Sequence, residues 1–431
     1  MIRKFFLLVL GLIPFPGICQ DDADYFNPRR IRYEDYIYHP DIRTAFFERN
    51  GQELSDPILL LGSSDQLRLH FDLLSNDIID YSYRIQHCDP DWRPSLLSEN
   101  DYLEGFYTDH IADYKHSLNT LTDYWHYQLD FPNAQMKPTI SGNFLLIVYD
   151  STDPDSIIIS KRFYVVEQRV EIQPNIHRAT IIEQRNSHQE ADLKVSLRGL
   201  AVTSPYSDIK LVLLQNGNPN SRISNLKPNF ATNELLEYNY EEGNVFEGGS
   251  EFRNFDIRTT RFLTQFIEKY TDDSIGRGLT AVLKKDISLA SQRYSSNDDI
   301  NGKFLNKIYE SRDAKLEGDY IQVLFRLKAD EAYTSGAVYV EGQFTDWRRD
   351  MPYRMDYQPD SGYYYKTLSV KQGYYNYRYS IEGKNKDNSV LETEGSHYET
   401  RNEYDIFVYW NETGVRYSRL IGYLKAFSGG F

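Results

Sequence analysis

The stretch Tyr81–Tyr107, YSYRIQHCDPDWRPSLLSENDYLEGFY, decides the fold of this chain. Tyr81 to Cys88 places successive side chains on opposite faces in the alternation of a β-strand. Asp89-Pro90-Asp91 then predicts a turn, because proline fixes φ and aspartate accepts hydrogen bonds from the nearby backbone. The long loop after this turn is rich in aromatic side chains, namely Trp92, Tyr102, Phe106 and Tyr107. A solvated loop does not need this much aromatic surface, so we expect something to cover these rings.

His87, Cys88 and Asp89 carry side chains that can bind metals or act in catalysis. Neighbouring residues of a strand point to opposite faces, however, so one site cannot easily gather His87 and Cys88. We therefore interpret them as a half-buried histidine, a small buried thiol and a turn-forming aspartate.

The composition indicates an all-β protein of about three domains. A length of 431 residues corresponds to roughly three domains of about 150 residues each. Tyrosine and phenylalanine, with 36 and 23 residues, favour strands, and no long stretch repeats apolar residues at helical spacing. Short strands separated by turn residues predict tandem immunoglobulin-like β-sandwiches.

The predicted strands divide the chain into three successive domains. We expect an N-terminal sandwich over residues 20–168, a middle sandwich over 169–316 and a C-terminal sandwich over 317–431. The segments Glu403 to Trp410 and Val415 to Leu424 are expected to complete the last of these.

The N-terminus has the order of a secretory signal peptide. A basic pair precedes the apolar run Phe5 to Ile13, which is too short to remain as a membrane anchor. We expect residues 1–19 to be removed on export; lipidation of Cys19 is the alternative, which Ile18 disfavours because lipoprotein signals usually have a small residue there. Cys88 is then the remaining thiol, and no intramolecular disulfide is expected.

Charge and motifs argue against several classes of function. A net charge of −15, spread along the chain, disfavours binding to nucleic acid or to anionic lipid. No spacing matches a serine-hydrolase elbow, a zinc-protease helix or a cysteine pair, and the nine histidines are scattered. We therefore predict no enzyme activity, no catalytic residue, no metal, no cofactor and no small-molecule substrate.

A second motif, Gly248–Arg258, reads GGSEFRNFDIR. Consecutive glycines could cradle a phosphate, but the context of a phosphate-binding loop is missing, with no Gly-Lys-Ser/Thr after them. A Gly-Gly turn or bulge that leads into a strand carrying Phe252 and Phe255 fits the sequence better.

These two motifs resemble the signature of the type IX secretion system plug protein family of Bacteroidetes. The first provides Tyr-x-Tyr-Arg, His-Cys-Asp-x-Asp-Trp and Leu-Ser-Glu-x-x-Tyr-Leu-x-Gly-Phe; the second provides Gly-Gly-x-Glu-Phe-Arg-x-Phe-Asp-x-Arg. The resemblance implies a non-enzymatic periplasmic protein, associated with the outer membrane. It also implies that this protein binds the periplasmic mouth of the large translocon β-barrel and closes the pore while no cargo passes.

The C-terminal domain is similar to the early-set sandwich of glycogen- and starch-binding modules. The similarity rests on the turn Gly342–Trp347 and on the tyrosine-rich strand Gly373–Gly383. In that fold the turn tryptophan mostly packs, so we predict a structural role for Trp347. The alternative function is a periplasmic or surface glycan-binding protein that uses this sandwich.

Five aromatic residues are our candidates for contact with the partner: Trp92, Tyr102, Phe106, Phe252 and Phe255. Aromatic side chains are enriched where interfaces concentrate binding energy, and an interface of about 1,600 Å² or more is expected. Such residues are also common in cores, and the sequence does not say which of them face outward.

Overall fold

The computed structural model describes residues 27, 29–272, 278–383 and 388–429. The predicted signal peptide and Cys19 lie outside these residues. The described chain consists almost wholly of β-strands, which form three sandwiches with separate hydrophobic cores. The predicted fold class is therefore confirmed. Within this part of the chain, no helix combines the length and the apolar character needed to cross a membrane.

The first sandwich contains the stretch that carries the first motif. Its elements are β1 (Tyr36–Ile37), β2 (Ile42–Arg49), β3 (Ile58–Leu60), β4 (Leu67–Leu73), β5 (Tyr81–Cys88), α1 (Glu99–Tyr102), β6 (Leu103–Gly105), β7 (Asp109–His110), β8 (Asp113–His116), β9 (Trp125–Phe131), β10 (Met136–Pro138), β11 (Gly142–Asp150) and β12 (Asp153–Val166). One sheet has the order β1-β12-β11-β5-β7, with β3 also on β12, and the other has the order β2-β4-β9-β8. Alternation turns one face of each strand inward, and Phe71 stacks on Tyr127 with ring centroids 4.9 Å apart.

The second sandwich begins directly after β12. Its first elements are β13 (Glu171–Arg178), β14 (His188–Ser196), α2 (Pro205–Asp208), β15 (Ile209–Gln215), β16 (Asn218–Ile223), β17 (Phe230–Ala231), β18 (Leu235–Tyr238) and β19 (Val245–Glu247). One sheet has the order β13-β14-β18-β17, with β19 also on β14, and β15 pairs with β16 in the opposite sheet.

The third sandwich starts earlier in the chain than predicted. Its elements are β20 (Arg253–Asp256), β21 (Ile267–Asp272), β22 (Leu279–Leu283), β23 (Phe304–Leu305), α3 (Ala314–Glu317), β24 (Tyr320–Lys328), β25 (Gly336–Glu341), 3₁₀ turns at Gln343–Thr345 and Met351–Tyr353, β26 (Asp356–Gln358), β27 (Tyr363–Lys371), β28 (Tyr374–Gly383) and β29 (Asn388–Ser389). One sheet has the order β21-β22-β24-β27-β26, and in the other β20, β23, β25 and β29 pair with β28.

The last two strands return to the second sandwich. β30 (Glu403–Trp410) pairs with β15 and with β31 (Arg419–Phe427), in an antiparallel register that sets Leu211 opposite Val408. These strands do not complete the third sandwich as expected, and the predicted boundary between residues 316 and 317 does not coincide with the strand pairing. Alternation shows that each of these segments is a strand and which of its faces is apolar. It does not show whether that face packs in the core of the second sandwich or of the third.

A buried ion pair joins the first sandwich to the third. Asp72 on β4 and Lys371 at the end of β27 are both almost inaccessible to solvent, and Lys371 Nζ donates to Asp72 Oδ2 over 2.7 Å. The Tyr320 hydroxyl donates to the same oxygen over 2.6 Å, and His126 Nδ1 lies 2.6 Å from Asp72 Oδ1. Burial acts to raise the pKa of Asp72, but the Lys371 ammonium and His126 outweigh it and hold the pKa below its usual value.

Four further charged residues, the junction cluster, connect all three sandwiches: Asp56, Lys303, Glu403 and Lys425. Lys303 Nζ of the third sandwich lies 3.4 Å from Asp56 Oδ1 of the first and 3.3 Å from Glu403 Oε2 of the second. Lys425 of the second sandwich contacts Asp56 as well and lies 2.7 Å from Glu403 Oε2. The three sandwiches therefore share charges that are partly shielded from water.

Replacing Lys371 with methionine should lower the free energy of unfolding by about 3 to 5 kcal/mol, because the buried Asp72 carboxylate loses its cation. Denaturant unfolding at pH 7 measures this loss. Lys307→Met is the matched control, since Lys307 pairs with Glu53 over 2.6 Å at solvent-exposed positions and should contribute less than about 1 kcal/mol. Equally small losses in both variants would show that the buried pair does not hold the sandwiches together.

Candidate functional site

The turn after β5 closes on itself through Asp89. The Asp89 carboxylate Oδ1 accepts hydrogen bonds from the backbone N–H groups of Asp91 and Arg93, each over 2.8 Å. The Trp92 N–H donates to the Asp89 carbonyl over 3.0 Å, and Trp92 takes a left-handed conformation with φ of 62°. The aspartate thus organises the turn, as the sequence predicts.

This turn is a joint between the first and second sandwiches. Lys210 Nζ and Arg222 Nη2 of the second sandwich lie 2.7 and 2.8 Å from Asp91 Oδ1. Partial burial acts to raise the pKa of Asp91, but the hydrogen bonds from Lys210 and Arg222 outweigh it and lower the pKa. Trp92 packs inside the joint, with the Arg162 guanidinium 4.4 Å from its ring centroid.

The loop beyond the turn is anchored by Tyr102. Ser98 donates to Asp101 Oδ2 through both its backbone N–H and its hydroxyl, each over 2.9 Å, and so starts α1. The helix directs Tyr102 into the first core, where the ring is fully buried and its hydroxyl donates to the Ile85 carbonyl over 3.2 Å. Tyr102 is therefore covered by the sandwich itself.

Three side chains between β5 and β7 remain in solvent, and we call them the apolar rim: Leu96, Phe106 and Tyr107. Their exposed fractions are 98%, 63% and 48%. Gly105 allows the sharp exit from β6, because its φ is 106° and a Cβ there would lie 2.1 Å from the Gln135 carbonyl oxygen. The Phe106 N–H then donates to that same oxygen over 2.7 Å, so the backbone of Phe106 is held in place.

The second motif lies in the interior of the third sandwich. Phe252 packs edge-on against Trp347 with ring centroids 5.9 Å apart, and Phe255 stacks on Tyr375 at 5.0 Å. Between them, the Arg253 side chain, which is 9% exposed, binds Glu394 and Asp286, each over 3.0 Å. The motif therefore builds a core and a buried ion-pair network.

The structure thus separates the five predicted contact residues. Trp92, Tyr102, Phe252 and Phe255 are buried, whereas Phe106 is exposed. Sequence reasoning missed Leu96, although the leucine pair at residues 96 and 97 was a signal. It also missed Lys210 and Arg222, whose role depends on contacts between distant segments.

Trp347 is buried, with 5% of its surface exposed. Its packing against Phe252 agrees with the predicted structural role. It also lines a cavity of about 110 Å³ where the three sandwiches meet, together with Trp92, Arg162 and Asp346. A buried ring cannot serve as a platform for a sugar, so the glycan-binding alternative loses its candidate residue.

His87 and Cys88 point to opposite faces of β5, as predicted. His87 packs edge-on against Phe144 at 5.0 Å and against Tyr417 at 5.6 Å, and Gly142 leaves room for its ring, since a Cβ there would lie 2.4 Å from Nε2. Cys88 lies with Trp92 in a separate apolar cluster. Burial lowers the pKa of His87 to about 4 and raises the pKa of Cys88 to about 12. The two residues do not form a shared site.

Comparison with known proteins supports the family that the first motif indicates. Residues 42–167 match the family model described as the type 9 secretion system plug protein 1st domain. The resemblance to the plug family is therefore confirmed over the first sandwich. The chain is similar to the crystal structure of a hypothetical protein from Parabacteroides merdae ATCC 43184, with a TM-score of 0.89 and 28% sequence identity. The match covers 93% of this chain and 100% of that protein's chain. No curated protein matches significantly.

His87 should make the protein less stable in acid. The unfolded chain binds a proton at His87 below about pH 6.5, whereas the folded chain does so only near pH 4. Stability is therefore lost as the pH falls from 6.5 to 4.5, by about 2 to 3 kcal/mol from this residue. His87→Leu should remove that share of the loss, measured by denaturant unfolding at both pH values.

The control for this experiment is His110→Gln, since His110 is exposed. That variant should keep the full pH dependence of the parent protein. An unchanged pH dependence in His87→Leu would show that His87 is not buried in its neutral form.

Proposed function

We propose that this chain, whose residues 42–167 match the first plug domain of the type IX secretion family, is a plug subunit that closes the outer-membrane translocon. The family match supports a plug-like protein with a structural role in type IX secretion. The proposal goes further: the protein binds the periplasmic side of the translocon barrel and blocks it while no cargo is in transit.

The ion pairs that join the three sandwiches are the observation that supports the closing role. A body that blocks a wide pore must keep its shape when it is not itself held by the membrane. The Asp72–Lys371 pair and the junction cluster join the three sandwiches through charges that have little access to water. Because removal of one partner of a buried pair is strongly destabilising, separation of the sandwiches would be costly.

The apolar rim is our candidate for the contact with the barrel. Leu96, Phe106 and Tyr107 are exposed apolar groups, and the backbone N–H of Phe106 is hydrogen-bonded to the Gln135 carbonyl. Apolar anchors of this kind concentrate binding energy in interfaces. Exposed Glu99 and Glu104 flank them, which fits a polar partner surface with basic groups around an apolar pocket. The rim lies within the residues that match the plug domain.

Affinity purification of the tagged protein from its native outer membrane tests the proposal. The expected result is recovery of one very large barrel protein, identified by mass spectrometry. Phe106→Asp should reduce that recovery about tenfold, because one lost apolar anchor corresponds to roughly 1.4 kcal/mol or more.

Phe230→Asp is the matched control, since Phe230 is 50% exposed on the second sandwich, away from the rim. This variant should recover the barrel as the parent protein does. Equal recovery with Phe106→Asp would exclude the rim as the contact, and the absence of a barrel with the parent protein would overturn the plug function.

A further inference from the structure

The outer face of the second sandwich brings together three side chains that can bind a metal. His177 on β13 is directly opposite Glu190 on β14 in the antiparallel register, and Asp192 follows two residues later on the same strand. Residues two apart on a strand share a face, so all three side chains lie on one side of the sheet. Ile172, Ala191 and Leu193 belong to the core on the other side.

The distances between these side chains suit one ion. His177 Nε2 lies 2.9 Å from Asp192 Oδ2 and 3.7 Å from Glu190 Oε1, and the three ligand atoms all lie within 4.8 Å of one another. An ion with bonds of about 2.0 to 2.2 Å to nitrogen and oxygen can be reached by these three side chains once they adjust around it.

The other polar atom of each side chain is held in place. His177 Nδ1 lies 2.8 Å from the Arg178 carbonyl oxygen, which can only accept, so Nδ1 carries the proton and Nε2 is directed at the carboxylates. Glu190 Oε2 accepts from the Thr180 N–H over 2.8 Å, and Asp192 Oδ1 accepts from Asn244 Nδ2 over 3.2 Å. Metal-binding histidines and carboxylates are usually oriented by such outer contacts.

The charge balance of the group also favours a cation. Among the described residues, no lysine or arginine forms an ion pair with Glu190 or Asp192, and His177 is their shared partner. By contrast, the buried Glu341 is paired with Arg349 and Asp72 with Lys371. In addition, the Asn244 side chain that touches Asp192 is fully buried, and its Oδ1 has no hydrogen-bond partner among the described residues.

We propose that His177 Nε2, Glu190 Oε1 and Asp192 Oδ2 bind a divalent transition-metal ion of the zinc type. One imidazole and two carboxylates form a ligand set suited to such ions, and a water molecule takes the remaining position. Glu190 is almost fully buried whereas 29% of the His177 side chain is exposed, so the ion enters from the histidine side. The metal ties β13 to β14 and, through the backbone of Thr180, to the turn between them.

Calorimetric titration with zinc tests this site. The purified protein is first stripped of metal with EDTA and then titrated with zinc chloride. We expect saturation at one equivalent, and an affinity at least about 100-fold lower in His177→Gln and in Asp192→Asn, since each removes a direct ligand. Thermal unfolding of the metal-free variants should remain cooperative, which shows that the loss is not a failure to fold.

The control is His39→Gln. His39 Nδ1 lies 3.9 Å from Asp41 Oδ2 in an exposed pair that has no third ligand among the described residues, so this variant should bind zinc as the parent protein does. The proposal is overturned if the parent protein shows no saturable zinc binding, or if His177→Gln binds zinc with unchanged affinity. Saturable binding of calcium in place of zinc would also overturn it. The site does not depend on the plug function.

Discussion

The architecture depends on the cost of an unpaired charge away from water. Asp72 lies on the face of β4 that points away from its own core, and Lys371 of the third sandwich meets it there over 2.7 Å. Either charge alone would be strongly destabilising at this depth, so each requires the other sandwich to be in place. The junction cluster repeats the arrangement at a second point, where Lys303 bridges Asp56 and Glu403. The Asp72–Lys371 pair and the junction cluster together fix the relative positions of all three sandwiches.

The turn of the first motif also joins sandwiches through charged and aromatic contacts. Asp91 and Trp92 stand out in the sequence, yet their contacts are internal: Asp91 binds Lys210 and Arg222 of the second sandwich, and Trp92 packs under Arg162. The turn part of the motif therefore joins two sandwiches, whereas Phe106 at the end of the motif is exposed.

The strands were predictable from the sequence, and their partners were not. Alternation defines Tyr81–Cys88 with the bounds that the structure has. The polar face of β4 reads as a solvent-facing surface, however, because nothing in its alternation shows that another sandwich covers it. Likewise, Trp92 and Phe106 both follow β5, and contacts with distant residues such as Arg162 and Tyr164 decide that the first is buried. The return of β30 to β15 and the meeting of His177 with Glu190 depend on register between strands, which composition and local spacing do not determine.

The way in which the sandwiches are joined limits how a plug of this kind could open. If the chain closes the barrel as proposed, opening by separation of its sandwiches would expose Asp72 and Lys371 without partners, at a cost of several kcal/mol. A contact through the exposed apolar rim leaves no unpaired buried charge behind when it breaks. The contact with the barrel would therefore break before the joints do. Release is then expected as the departure of one rigid body, driven by competition for the rim or by a change in the barrel.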